Sequence, residues 1–103
     1  MLIYYADHFV LPLPPGHRFP MRKYAALRER VASFAGDLLR VAPAATEAEL
    51  ARAHDPAYIA AVCAGTLDAR ALRRIGFPWP PELVERSRRS AGATLAACRS
   101  APA

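Results

Sequence analysis

Apolar residues along this chain fall into short blocks, and their spacing changes from one block to the next. Leu2, Ile3, Tyr4 and Tyr5 form a continuous apolar run closed by the polar Asp7 and His8. A run that short, rich in β-prone residues, predicts a buried strand. LPLPPGHRFP, from Leu11 to Pro20, follows with four prolines and a glycine. Fixed φ angles and missing donors rule out helix there and predict a loop of largely extended backbone. From Met21 the pattern changes. Tyr24, Leu27, Val31, Phe34 and Leu38 recur at intervals of three and four, with Arg22, Lys23, Arg28, Glu29 and Arg30 around them. That spacing predicts an amphipathic helix with one apolar stripe.

Leu38 to Ala42 reads as a second short strand, stopped by Pro43, which cannot donate to a ladder. Thr46 and Glu49 stand at capping-box spacing and start a short helix through Leu50 and Arg52. Asp55 before Pro56 is an N-cap followed by N1, and Tyr58, Ile59 and Val62 give the next helix an apolar face ending at Gly65. Asp68 caps a further turn running to Arg74, with Gly76 as its stop. The rigid connector FPWPP leads into a last helix, on which Leu83, Val84, Ser87, Ala91, Thr94, Leu95 and Cys98 share a narrow face. Glu82 to Arg86 and Glu85 to Arg89 have the i,i+4 order that favours ion pairing.

Strand, helix, strand and helices in that order indicate an α/β domain with a parallel sheet. Two strands do not complete such a sheet, because parallel strands need layers on both faces and neighbours on their edges. The expectation is therefore one domain, residues 1–103, that is the incomplete start of a larger unit. Isolated, it should be partly molten or self-associating.

Composition narrows the choice of partners. In 103 residues, 14 Lys and Arg against 9 Asp and Glu give a net charge of +5, nearly all of the positive charge being arginine. The arginines interleave with glutamates on helix faces, the pattern of a solvated surface rather than of a stripe that tracks nucleic acid. Cys63 and Cys98 stand alone among small apolar residues, which predicts reduced, buried thiols in a cytoplasmic protein. MLIYYADHFV has no basic n-region, so it does not read as a secretory leader, and no apolar run is long enough for a membrane span.

Chemistry-bearing residues are few: Asp7, His8, His17, His54, Asp55 and four tyrosines. No HExxH, phosphate loop, GxSxG elbow or DxH pair occurs. Asp7, His8 and His17 are the one cluster near enough in sequence to consider for a metal, and loop histidines beside prolines more often bond to backbone. The residues alone therefore assign no catalytic group and no metal ligand.

Three segments taken together carry more. GHRFPMRKYAALRERV (Gly16 to Val31), APAATEAELARAHDPAYIAAV (Ala42 to Val62) and GFPWPPELVERSRRSAGAT (Gly76 to Thr94) resemble, in that order, the amino-terminal third of histone-deacetylase-like proteins, the bacterial branch related to class IV above all. The matching positions are His17, Pro20 and Lys23 at the opening of the first long helix, then His54, Asp55 and Tyr58. The resemblance implies a three-layer arginase/deacetylase-type parallel-sheet fold, of which this chain is a mostly helical part with two short strands. It also implies hydrolysis of an acetyl-amide by a zinc-bound water, on acetyl-lysine or a small acetylated amine. The family's tandem histidines, zinc ligands and transition-state tyrosine belong to segments after the matched region, so zinc and the carboxy-terminal part of the domain are the implied cofactor and partner, and none of those roles falls on a residue here. Two departures stand out: Gly92-Ala93-Thr94 replaces the family's Gly-Gly-Thr, and Pro80-Pro81 occupies the place of a Ser or Thr cap, which suggests a later helix start.

Within that resemblance Lys23 falls where relatives carry an arginine lining an internal cavity, and a solvated lysine is the equal alternative. His17 is either a pocket-rim residue or a loop histidine with a backbone partner. His54 and Tyr58 read as a packed structural pair, and Trp79 as a large aromatic in need of cover. The competing class is a small standalone basic helical module that binds nucleic acid or a protein.

Overall fold

The computed structural model describes residues 1–9, 12–76 and 80–102. The elements are β1 (Ile3–Tyr5), α1 (Arg22–Ala35), a 3-10 turn (Gly36–Leu38), β2 (Leu39–Val41), α2 (Glu47–Leu50), α3 (Pro56–Ala64), α4 (Ala69–Ile75) and α5 (Pro81–Ser100). The described part is mostly helical, and its two strands are parallel, Ile3 opposite Leu39, Tyr4 opposite Arg40 and Tyr5 opposite Val41. The ladder continues one step further, with Ala42 N–H donating to the Tyr5 carbonyl at 2.8 Å.

Local chemistry sets most of the boundaries. Thr46 and Glu49 close a reciprocal capping box on α2, satisfying two N-terminal donors at once. Asp55 accepts from Ala57 N–H at 2.7 Å with Pro56 at N1, and Asp68 accepts from Ala71 N–H at 2.8 Å. Gly65 (φ 71°) and Gly76 (φ 81°) end α3 and α4 in the left-handed region, where a side chain would be strained. Three expected boundaries shift. Arg52 lies outside α2. Leu38 falls in the 3-10 turn rather than on α1. The last helix does not start late: Pro80 is its extended N-cap and Pro81 its N1 residue, since proline there loses no intrahelical bond.

α5 is fastened to the segment that leaves β2. A Cβ on Gly92 would lie 1.8 Å from the Pro43 carbonyl oxygen, so the helix and the Pro43–Ala45 backbone touch directly. Arg88 closes the contact twice: its carbonyl accepts from Ala45 N–H at 2.9 Å, and its Nε donates to the Ala45 carbonyl at 2.9 Å. Arg89 donates to the Ala42 carbonyl at 2.9 Å and to Glu85 at 2.8 Å, with its guanidinium 4.4 Å over the Phe9 ring. The close approach depends on Gly92, where a side chain would meet the Pro43–Ala45 backbone.

Little else is buried. The buried apolar residues among those described are Ala35, Ala42, Ala45, Ile59 and Leu83, and no large side chain is fully enclosed. The radius of gyration is 15.2 Å, against about 13 Å for a closed domain of this length. Much of the α1 stripe faces outward, Leu27 being 64% and Phe34 79% exposed.

The cysteines correct the sequence expectation, since both are exposed. Cys63 sits one turn beyond Ile59 and lines an open hollow. Cys98 lies about 9 Å along the helix axis past Gly92, beyond the close contact. Phe77 and Trp79, expected to need cover, lie outside the described residues.

Candidate functional site

α3, α4 and α5 enclose a half-open hollow of about 430 Å³. The capped start of α3 aims Ile59 and Val62 into it, α4 contributes Ile75, and the first two turns of α5 contribute Leu83 and Val84. His54, Tyr58, Arg86 and Ser87 supply polar groups, and no Asp or Glu occurs among its described lining residues. His54 and Tyr58 stack at 6.1 Å between ring centroids with 34° between planes. Both are exposed, so they form a surface pair at the mouth of the hollow.

Arg86 is the unexpected member. Sequence spacing pairs it with Glu82, yet among the described residues Glu82 forms no ion pair with it. Its guanidinium instead lies 4.7 Å over the Tyr24 ring, and its Nε is shielded from solvent without an acceptor. Nothing in the sequence joins positions 24 and 86; only the fold brings them together.

The two residues singled out by resemblance lie near each other, outside the described lining of the hollow. His17 is half-buried and its Nδ1 accepts from Phe19 N–H at 3.1 Å, the backbone partnership expected of a loop histidine. Lys23 is exposed, with Nζ 4.7 Å over the Phe19 ring and 5.1 Å from that of Tyr24. Asp7 and His8 separate: Asp7 accepts from Arg28 Nε at 2.9 Å, which raises the arginine's already high pKa chiefly through that hydrogen bond, whereas His8 is exposed beside Tyr5 and Phe9.

Glu49 is the most perturbed acid among the described residues. Its pKa is lowered to about 2, first by the Thr46 backbone N–H and then by Arg99. Both partners are structural, tying α2 to the far end of α5. Among the described residues no three His, Cys, Asp or Glu side chains are grouped closely enough to hold a metal. No helix among them is long and apolar enough to cross a membrane.

No family model matches the chain. It is similar to an uncharacterized protein of Picosynechococcus sp., 34% identical over 97 residues, a match covering 91% of this chain and 32% of that protein. The chain therefore spans about a third of the length of the curated relative it matches.

Proposed function

We propose that this chain is the amino-terminal part of a zinc-dependent, histone-deacetylase-like amidohydrolase with the arginase/deacetylase fold, which removes acetyl groups from acetyl-lysine or a small acetylated amine. The observation that carries the proposal is the parallel β1–β2 pair, joined through α1, in a chain that aligns with only a third of its relative. A two-stranded parallel sheet is not a stable end point, because strands of that kind are buried on both faces in finished domains. The small core and the exposed Leu27 and Phe34 point the same way. Zinc and the catalytic groups belong to the carboxy-terminal partner segment. The contribution of this chain is scaffold, with His17 and Lys23 at the opening of α1 as its candidates for a pocket wall.

The test extends the protein through the adjoining reading frame to the length of the relative. The extended protein should hold one zinc per chain and release acetate from an acetyl-lysine peptide or an acetylated polyamine, whereas residues 1–103 alone should do neither. An extended protein that binds no zinc and releases no acetate from either substrate overturns the proposal, as does one equivalent of zinc retained after dialysis by residues 1–103.

A further inference from the structure

We propose that the hollow between α3, α4 and α5 is a binding site for an aliphatic monocarboxylate, with the carboxylate on Arg86 and the hydrocarbon chain along Ile59, Val62 and Leu83. This proposal does not rest on the deacetylase reading, although His54 and Tyr58, two of the positions that carry that resemblance, line the same hollow.

Arg86 sets the head-group chemistry. A guanidinium nitrogen withdrawn from water without an acceptor is costly, more so on a charged group than on a neutral one. Arg86 Nε is in that state, while the guanidinium carbon lies 4.7 Å over the Tyr24 ring. The planar guanidinium fork matches the two oxygens of a carboxylate, which its terminal nitrogens would receive because Nε itself is shielded. No carboxylate of the described lining competes for it. Arg88, the other arginine of the wall, is committed through its Nε to the Ala45 carbonyl at 2.9 Å. One uncommitted cation among the described lining favours a monoanion over a phosphate, which would call for several donors.

The rest of the hollow sets the tail. Ile59 and Leu83 are buried, and Leu50, Val62, Ile75, Val84 and Ala91 add aliphatic surface to a wall that also carries Phe19 and Tyr58. The volume of about 430 Å³ falls in the range of small-molecule sites, roughly 300–1,000 Å³, in which a mostly apolar surface carries a few orienting polar groups. A ligand that is charged at one end and hydrocarbon along its length satisfies both halves.

Octanoate, octanol and octylamine, matched in chain length, separate recognition of the head group from simple partition onto apolar surface. Each is titrated at submillimolar concentration into the protein extended through the adjoining reading frame, with the 103-residue chain alongside, and followed by calorimetry and amide shifts. Octanoate should saturate a single site, octanol should bind roughly tenfold or more weakly, and octylamine should not bind. Arg86→Gln should weaken octanoate by about tenfold while leaving the far-UV circular dichroism unchanged. If that variant loses helix, Ser87→Glu decides in its place, since it sets a like charge on the exposed rim without emptying the wall. Absence of saturation, equal affinity for octanol, or unchanged octanoate affinity in the deciding variant overturns the proposal.

Discussion

α1 and α5 are both amphipathic helices rich in arginine, and they are held in very different ways. α5 meets backbone directly: Gly92 lies against the Pro43 carbonyl, and Arg88 and Arg89 bond the carbonyls of Ala45 and Ala42. α1 is tied by side chains at separate points, Arg28 to Asp7 at one and Tyr24 beneath Arg86 at another, while Leu27 and Phe34 face outward. An apolar stripe thus states what a helix is able to bury, and close approach to a neighbour's backbone decides whether the burial occurs.

The sharpest way to break the comparison is Gly92→Ala. One methyl has to displace either the helix or the Pro43–Ala45 segment, because a carbonyl oxygen occupies its place. A loss of about 2–3 kcal/mol is expected in urea denaturation of the protein extended to the length of its relative, followed by circular dichroism, as for other overpacked contacts. Wild-type stability in this variant would show that the contact at Gly92 yields freely and that α5 is no better fixed than α1.

Paired Leu27→Gln and Phe34→Gln substitutions probe the opposite case. Both side chains are largely exposed, so stability should change by under about 0.5 kcal/mol. Self-association should fall, since a continuous apolar stripe in water is a surface for unintended contacts. Sedimentation velocity measures this, and a wild-type chain that is already a monomer with well-dispersed amide spectra would mean that the stripe needs no cover.

The smallest expected effect is a pH dependence at the far end of α5. The Glu49 pKa is lowered from 4.5 to about 2 in the folded chain. A lowered acid pKa favours folding above the unfolded value, and that contribution fades as pH falls from about 4.5 toward 2. Because the Thr46 N–H is the larger cause and Arg99 the second, Arg99→Gln should move the midpoint up only part of the way. Carboxyl carbon titration by NMR reads it directly, and a return to 4.5 in Arg99→Gln would reverse the order of the two causes.

Elements governed by local chemistry are legible in the order of residues along the chain. Thr46, Asp55 and Asp68 cap as their spacing predicts, Gly65 and Gly76 stop their helices, and the two apolar runs form a parallel pair. What failed depended on distant neighbours. Cys63 and Cys98 have the surroundings in sequence of buried thiols, yet burial is a property of what packs on a face, which composition does not record. Arg86 carries a good helical partner in Glu82, and the competing ring of Tyr24 lies in another part of the chain. Arg88 and Arg89 bond to carbonyl groups that every residue carries, so no residue type announces them.

The fastening of the Ala42–Ala45 segment by Arg88, Arg89 and Gly92 also orders events during synthesis on the ribosome. β1 and β2 are available early, but the groups that lock the segment after them emerge much later, Arg88 joining Ala45 across 43 positions and Arg89 joining Ala42 across 47. Closing such loops costs chain entropy before any contact repays it. Until α5 has cleared the exit tunnel, the nascent parallel pair is held by its own few hydrogen bonds, and its edges are open to chaperones for as long as the remaining helices take to appear.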